Sequence, residues 1–480
     1  MKKYIIAVLI TTAYQSTMAV TREFIGAINN APNGIISHGS TVIAEFKIEA
    51  CDVGKDVMII NDSNENNNFL SGIKEINIIH ASKFPEFSLH GKKITKNKNT
   101  GCVAKRYKFS TEGSYFIYYV FENGITDMSY MFSNCSNLQL VFLAYLNSSK
   151  VTTMAYMFNK CTNITSLNLG NFDFFSTRSV VDMSFLCNGC TKLEDVGLYN
   201  FNTANVKYMS HMFSGCEVLS NYNTPIRSID CKNVEDMSYM FYKCKKWTSL
   251  KIKFENTLQL DNISFMFGYC SSLVEIVFEN FNTQNVTNMT GLFYECSSLT
   301  SINFGDTFRT QNVKDMSYMF YGCKTLSKIN LENFNTEKVI YMSYMFSECS
   351  AILDLNLVSF NTKNVQRTNY MFYNCSSLNN ITFSEKFTME NVEDMVCMFN
   401  CCSKLEHLDL RYLNLNKLKN MKGLSSKCHN IKSIVMSPSL CACASGYRFD
   451  DLFENCPNFN ISVCPGFDAD FFSKHFCKDK

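Results

Sequence analysis

Residues 312–339 read NVKDMSYMFYGCKTLSKINLENFNTEKV and hold one complete unit of a motif that recurs along most of the chain. Apolar residues from Val313 to Cys323 recur every three or four positions, which is the spacing of a helical face. Ile329 and Leu331 are then two positions apart, as in a strand. The unit therefore predicts a short helix, a turn, a short strand and a return loop. Because one such coil cannot bury its own apolar side chains, neighbouring coils must stack into a solenoid.

A cysteine in a Met-Phe-x-x-Cys box marks each of about thirteen repeats. Seven of the twelve intervals between these cysteines are 26 residues long, and the others are 27–29. Insertions of that size fit into loops and leave a stack of coils intact. The marker positions are Cys135, Cys161, Cys190, Cys216, Cys244, Cys270, Cys296, Cys323, Cys349, Cys375, Cys402, Cys428 and Cys456.

Each residue type in the repeat has a mechanical explanation. Asp or Asn before the first Met, as at Asp182 and Asp315, is placed to cap the predicted helix. The Met, Met and Phe that follow are expected to line the interior. The return loop FNTxNV, which begins at Phe201 and Phe281, supplies asparagines that can bond their own backbone and the next coil, forming a side-chain ladder.

The cysteines fall into two groups. Equivalent residues of stacked coils lie about 4.8 Å apart with parallel side chains, whereas a disulfide needs Cβ atoms about 3.8 Å apart that face each other. The marker cysteines are therefore expected to be buried free thiols. Cysteines outside the repeat register are disulfide candidates near the two ends of the stack, with a zinc site involving His475 as an alternative for the C-terminal group. These candidates are Cys51, Cys102, Cys441, Cys443, Cys464 and Cys477.

The ends of the chain differ from the repeats and suggest export. Lys2 and Lys3, the apolar run 5–10 and the small-residue site ending at Ala19 have the order of a secretory signal peptide. We expect residues 1–19 to be the signal peptide, 20–108 a strand-rich N-terminal cap, 109–456 the solenoid and 457–480 a cysteine-containing C-terminal cap. No later stretch is long and apolar enough to predict a membrane span. The expected location is secreted or at the extracellular surface.

The unit FNTQNVTNMTGLFYECSSLTSINF, residues 281–304, resembles the leucine-rich repeats of the BspA-like surface-protein family. The resemblance covers residues 123–456. It implies a right-handed α/β solenoid, with one short helix and one short parallel strand per coil, and adhesion to proteins, cells or matrix. The family implies no catalytic residues.

Composition and motifs argue against several function classes. The formal charge is +2 and only 18% of residues are charged, so the basic excess typical of nucleic-acid binding is missing from the sequence. The sequence has no nucleophile elbow, HExxH motif or phosphate loop, and its seven histidines are scattered. We therefore expect no enzyme activity, no cofactor and no metal site.

Binding is the function that the repeat favours. The outward strand position forms a column of mostly neutral polar residues, suited to an extracellular protein or glycan. Alternatives are a coat or matrix component that self-associates through its ends or its edge, and an enzyme or specific ligand site within residues 20–108. The ligand-binding candidates are Asn168, Lys251, Asn303, Asn330, Asn356 and Asp409. The glycosylation candidates, from Asn-x-Ser/Thr triplets, are Asn61, Asn147, Asn163, Asn262, Asn285, Asn288, Asn380 and Asn460.

Overall fold

The computed structural model describes residues 41–61, 73–80, 92–95, 105–121, 124–143, 146–169, 175–197, 201–220, 228–250, 253–437, 452–456 and 460–463. The predicted signal peptide and most of the predicted C-terminal cap lie outside these residues. The strands are β1 (Thr41–Ile48), β2 (Asp56–Met58), β3 (Ile73–His80), β4 (Lys92–Thr95), β5 (Arg106–Lys108), β6 (Gly113–Phe121), β7 (Leu138–Phe142), β8 (Ser166–Asn168), β9 (Asp195–Gly197), β10 (Ser228–Asp230), β11 (Ser249–Leu250), β12 (Lys253–Glu255), β13 (Glu275–Val277), β14 (Ser301–Asn303), β15 (Asp354–Leu357), β16 (Asn380–Phe383), β17 (His407–Asp409), β18 (Ser433–Met436) and β19 (Asn460–Val463).

The repeat region is a parallel β-solenoid. Equivalent strands of neighbouring coils pair in parallel, as in β13 and β14, where Ile276 lies opposite Ile302. A second line of pairing runs along the part of each coil that precedes the marker cysteine. There, single-residue bridges connect twelve successive coils, from Asp127 to Asn420. The line of bridges is continuous over these coils, whereas the strand line is interrupted: within the described residues 253–437, no strand pairing joins β14 to β15 or β16 to β17. The strand predicted for the quoted unit is wrong, because residues 327–331 form none.

The predicted short helix in each coil is wrong. The only helices in the described part of the chain are two 3₁₀ turns, Ala50–Asp52 and Thr257–Gln259. Where the sequence suggested a helix, each coil has a run of overlapping turns, which we call the turn ribbon; in the quoted unit it spans residues 315–323. Tyr318 in this ribbon has a φ of 60°. A left-handed residue at that point is incompatible with a continuous right-handed helix.

Hydrogen bonding explains why the ribbon replaces a helix. The N–H groups of Met316, Tyr318 and Phe320 donate to carbonyls of the next coil, each over 2.9 Å. Between them, the N–H groups of Met319 and Tyr321 donate to carbonyls three residues earlier in the same coil, over 3.3 and 3.0 Å. An α-helix would use all these donors inside one coil. The ribbon uses three of these five to hold the stack together.

The interior of the solenoid is formed by the residues that the sequence pattern assigned to it. Met316, Met319, Phe320 and Cys323 have no exposed surface, and their equivalents in the other coils are buried as well. Phenylalanines of successive coils stack on one another; the rings of Phe320 and Phe346, for example, are 5.3 Å apart. The spacing therefore identified the buried residues correctly although it gave the wrong backbone conformation.

A five-stranded antiparallel sheet covers the N-terminal end of the solenoid, with strand order β4-β3-β6-β1-β7. β1 pairs with β6 on one side and with β7 on the other. β7 follows the first marker cysteine, Cys135, and so belongs to the first coil. Because β1 bonds to it, the first coil does not present an open strand edge there.

Two side-chain ladders connect the return loops, as the sequence predicted for the asparagines. The amide of Asn312 donates to the carbonyl of Gln284 over 2.8 Å, and equivalent asparagines do the same in other coils. Beside them runs a threonine ladder. The buried Thr336 hydroxyl donates to the carbonyl of Asn361 and accepts from the N–H of the same residue, both over 2.8 Å. These hydroxyls replace backbone pairing where the loops are too irregular to form strands.

The threonine ladder yields the first prediction. Thr336→Val keeps the shape of the side chain but leaves the N–H and C=O of Asn361 without their bond partner. We expect the free energy of unfolding to fall by about 1–3 kcal/mol. Urea unfolding followed by the fluorescence of Trp247, the single tryptophan, measures this change. The control is Thr382→Val on β16, an exposed threonine; an equal loss in both variants would contradict a role for the ladder.

Candidate functional site

The outward side of the strands, which we call the strand face, carries two parallel columns of exposed side chains. In five successive coils both outward residues are exposed. The first column contains Ser301, Lys328, Asp354, Asn380 and His407, and the second contains Asn303, Asn330, Asn356, Thr382 and Asp409. Successive coils thus present closely spaced polar groups along one surface.

The second column, which supplied the predicted ligand-binding residues, also shapes the backbone. The side-chain oxygens of Asn303, Asn330 and Asn356 accept the N–H two residues later, over 2.9–3.1 Å. Asp409 does the same and also pairs with the Arg411 guanidinium at 2.7 Å. These oxygens hold the turn that follows each strand. The ligand-binding role of this column remains a prediction.

Two of the six predicted ligand-binding residues have no described side chain. Asn168 is the last residue of β8, where Gly197 pairs with it, and Lys251 lies outside the described residues. The first column has more varied chemistry than the second: a hydroxyl, an ammonium, a carboxylate, an amide and an imidazole follow one another. In this column the side chain differs from coil to coil while its position in the repeat stays the same; four of the five residues lie in strands, and Lys328 does not.

The marker cysteines form a buried column of free thiols, as their spacing predicted. Ten of these thiols also make a bond that the sequence did not suggest, because each donates to the carbonyl of the box phenylalanine one coil earlier. Cys349 donates to Phe320 over 3.0 Å and Cys375 to Phe346 over 3.1 Å. Cys216 donates instead to the carbonyl of Cys187, and Cys456 to that of Ser425. Burial raises the pKa of the Cys270 thiol to about 12 and raises the pKa of Cys323 strongly. These thiols are therefore structural.

Of the disulfide candidates, only Cys51 is described, and it is an exposed free cysteine. Cys102, Cys441, Cys443, Cys464 and Cys477 lie outside the described residues, so disulfides at the ends of the stack remain a prediction. Two further cysteines are half-buried on the turn ribbon, Cys397 and Cys401. The side-chain amide of Asn400 contacts both sulfurs.

A column of aromatic rings on the outside of the turn ribbon was missed by the sequence analysis. Rings of neighbouring coils lie nearly parallel, as in Tyr318 and Tyr344, whose centroids are 4.7 Å apart at 7°. The signal was the aromatic residue directly before the second Met of many boxes. The column comprises Tyr130, Tyr156, Phe185, His211, Tyr239, Phe265, Tyr318, Tyr344 and Tyr370.

Comparison with protein families identifies the family to which the repeat belongs. The model for "Mycoplasma protein of unknown function, DUF285" matches residues 121–176, 165–278, 249–352, 301–406 and 350–465. The chain belongs to this family. The overlapping DUF285 matches reflect the repeat and cover nearly all of the solenoid. They do not show the BspA-like resemblance, which remains a prediction.

Other comparisons add little to the DUF285 assignment. No curated protein matches the chain. A solved structure described as the crystal structure of a TLR13–ssRNA13 complex is similar at 15% identity and a TM-score of 0.22. The match covers 62% of this chain and 46% of that one.

The glycosylation candidates of this DUF285 chain differ in accessibility. Asn61 has no exposed surface, so folding hides it from a glycosylating enzyme. The triplets at Asn262 and Asn288 have a structural explanation: their oxygens accept the N–H two residues later over 3.0 Å, as Asp315 does in its coil. Asn147, Asn285 and Asn380 are exposed and Asn163 is half-buried, whereas the side chain of Asn460 is not described. Glycosylation itself remains a prediction.

Within the described stretches, no three His, Cys, Asp or Glu side chains come together as a metal-binding group would. No helix there is long and apolar enough to cross a bilayer.

Thiol accessibility provides the second prediction. A thiol must ionise to react with iodoacetamide, and burial opposes ionisation of the marker cysteines. In folded protein at pH 8 we expect labelling at Cys51, Cys397 and Cys401, and little at Cys270 or Cys323. Peptide mass spectrometry after a short reaction measures this, with urea-unfolded protein as the control in which every free cysteine reacts. Rapid native labelling of the marker column would contradict its burial.

Proposed function

We propose that this protein is an extracellular recognition protein that binds a protein or glycan through its strand face, and so supports adhesion. The observation that carries the proposal is the variation of the first column. Ser301, Lys328, Asp354, Asn380 and His407 are all exposed, and they occupy the same position of the repeat while differing in charge and hydrogen-bonding chemistry.

A repeat makes this arrangement useful for recognition. Parallel strands hold their outward side chains about 4.8 Å apart along the stack, so a long ligand meets a regular series of anchor points. Individual contacts of neutral polar groups are weak, at about 0.5–1.5 kcal/mol each. Many such contacts over several coils give an interface its affinity and its specificity.

The extracellular part of the proposal is supported by the sequence. The basic residues, apolar run and small-residue site of residues 1–19 resemble an export signal. The solenoid can function in that compartment because the marker thiols are buried and have raised pKa values, and both properties slow their oxidation.

The third prediction tests the strand face without disturbing the fold. Asp409 holds its turn in the same way as the asparagines of the second column, so Asn→Asp keeps the required acceptor oxygen. The triple variant Asn303→Asp, Asn330→Asp and Asn356→Asp adds three negative charges to the strand face. We expect it to retain its stability and to lose at least about tenfold in adhesion, because like charges and lost amide donors penalise the interface.

The matched control makes the same substitutions at another place. Asn262→Asp, Asn288→Asp and Asn420→Asp lie on the turn ribbon, where the oxygen also accepts the N–H two residues later and where other coils already carry Asp236 or Asp315. Adhesion of purified, fluorescently labelled protein to cells and to coated matrix is the measurement. Equal adhesion of the two triple variants would exclude the strand face. Filaments or sheets at high concentration, with no adhesion, would favour the coat component instead.

A further inference from the structure

Two tyrosine rings on the turn ribbon form a right-angled corner instead of a stack. The rings of Tyr242 and Tyr269 are 5.4 Å apart at 88°. The ammonium of Lys243 lies 5.2 Å from the centre of the first ring and 5.5 Å from the centre of the second. A positive charge within about 6 Å of an aromatic face is attracted to the electrons of the ring. The corner therefore already holds a cation, supplied by the chain itself.

The local sequence explains why this corner exists. Within the aromatic column, equivalent rings of neighbouring coils cover each other's faces, as Tyr318 and Tyr344 do at 7°. Tyr242 and Tyr269 instead occupy two different positions of the repeat, outside that column. Gly268 removes the side chain that would lie beside Tyr242. A Cβ at Gly268 would come within 2.9 Å of the Tyr242 ring. The ring can therefore lie against the glycine backbone, perpendicular to Tyr269.

Two more tyrosines extend the corner. Tyr239 contacts Tyr242 at 5.2 Å and 65°, and Tyr294 contacts Tyr269 at 5.2 Å and 61°. The two rings that contact the Lys243 ammonium are thus each flanked by a further ring at a steep angle. Burial raises the pKa of Tyr242 and Tyr294, so the phenols are neutral in the physiological range. The rings, rather than phenolate charges, then provide the attraction.

We propose that Tyr242 and Tyr269, flanked by Tyr239 and Tyr294, form a binding site for a quaternary ammonium group, such as that of choline. Rings set at right angles surround a trimethylammonium group on several sides, and such groups are recognised by aromatic cages. A primary ammonium is strongly hydrated, so Lys243 loses hydration when it enters the corner. A methylated ammonium is less hydrated and fills the space better. Lys243 would act as an internal competitor that the ligand displaces.

The experiment titrates the full chain with choline chloride and follows the trimethyl signal by saturation-transfer NMR. Lys243→Ala removes the competitor, so choline should bind about two to five times more tightly. Tyr242→Leu combined with Tyr269→Leu removes both faces and should weaken binding at least about tenfold. Tyr344→Leu, within the parallel stack, is the matched control and should leave choline binding unchanged. Trp247 fluorescence checks that each variant is folded.

A neutral analogue separates cation recognition from simple apolar contact. In 3,3-dimethylbutan-1-ol a carbon atom replaces the nitrogen of choline, so the molecule keeps the shape without the charge. The unmodified chain should bind it at least about tenfold more weakly than choline. Equal binding of the two compounds would overturn the proposal. A second result would also overturn it. In that result, Lys243→Ala binds choline with unchanged affinity, and the folded double variant Tyr242→Leu/Tyr269→Leu still binds choline as the unmodified chain does.

Vesicles distinguish the source of the ammonium group. The headgroup nitrogen carries three methyl groups in phosphatidylcholine and none in phosphatidylethanolamine. Vesicles of each lipid are mixed with the unmodified chain or with the double tyrosine variant, and the protein that sediments with the vesicles is measured. Tyrosine-dependent sedimentation with phosphatidylcholine alone assigns the site to a lipid headgroup. Binding of free choline without sedimentation assigns it to a soluble ligand. If the chain binds neither free choline nor phosphatidylcholine, the proposal fails.

Discussion

Backbone hydrogen bonds between successive coils are the constraint on which the rest of this structure depends. Along the turn ribbon, alternate N–H groups leave their own coil and bond to the next, as those of Met316, Tyr318 and Phe320 do. This arrangement fixes the ribbon in register from one coil to the next. The insertions that lengthen some repeats must then fall outside it, because an extra residue in the ribbon would shift every inter-coil bond that follows.

Register also determines how side chains interact. Equivalent residues in neighbouring coils lie side by side. A residue type whose side chain bonds or stacks with its own kind, or with the backbone of the next coil, can therefore make the same contact in every coil. The box cysteines bond to phenylalanine carbonyls one coil away, the threonines of the return loops bond to the next coil, and aromatic rings stack outside the ribbon. Much of the repeat is thus used for cohesion between coils, which leaves few positions free to vary.

The positions that do vary are where the proposed functions lie. The first column of the strand face changes from Lys328 to Asp354 to His407 while each of these residues stays exposed. On the ribbon, beside the aromatic column, Gly268 allows Tyr242 to lie at a right angle to Tyr269. In both cases the stack of coils is regular, and a few surface residues differ from the repeat pattern. The two surfaces are on different parts of the coil, so one does not depend on the other.

The sequence by itself determined the repeat, its period, the stacking of coils and the buried Met, Phe and Cys positions, because spacing reports which side chains share a face. It could not determine the backbone of the ribbon. Spacing of three or four residues puts Met316, Met319 and Phe320 on one face in a helix, but the ribbon turns the same residues inward. Only the stacked structure showed that their N–H groups bond between coils. It likewise showed that Asn303 holds a turn and that Tyr242 and Tyr269 meet at a right angle. Those facts arise from contacts between neighbouring atoms across coils and turns, which residue spacing does not encode.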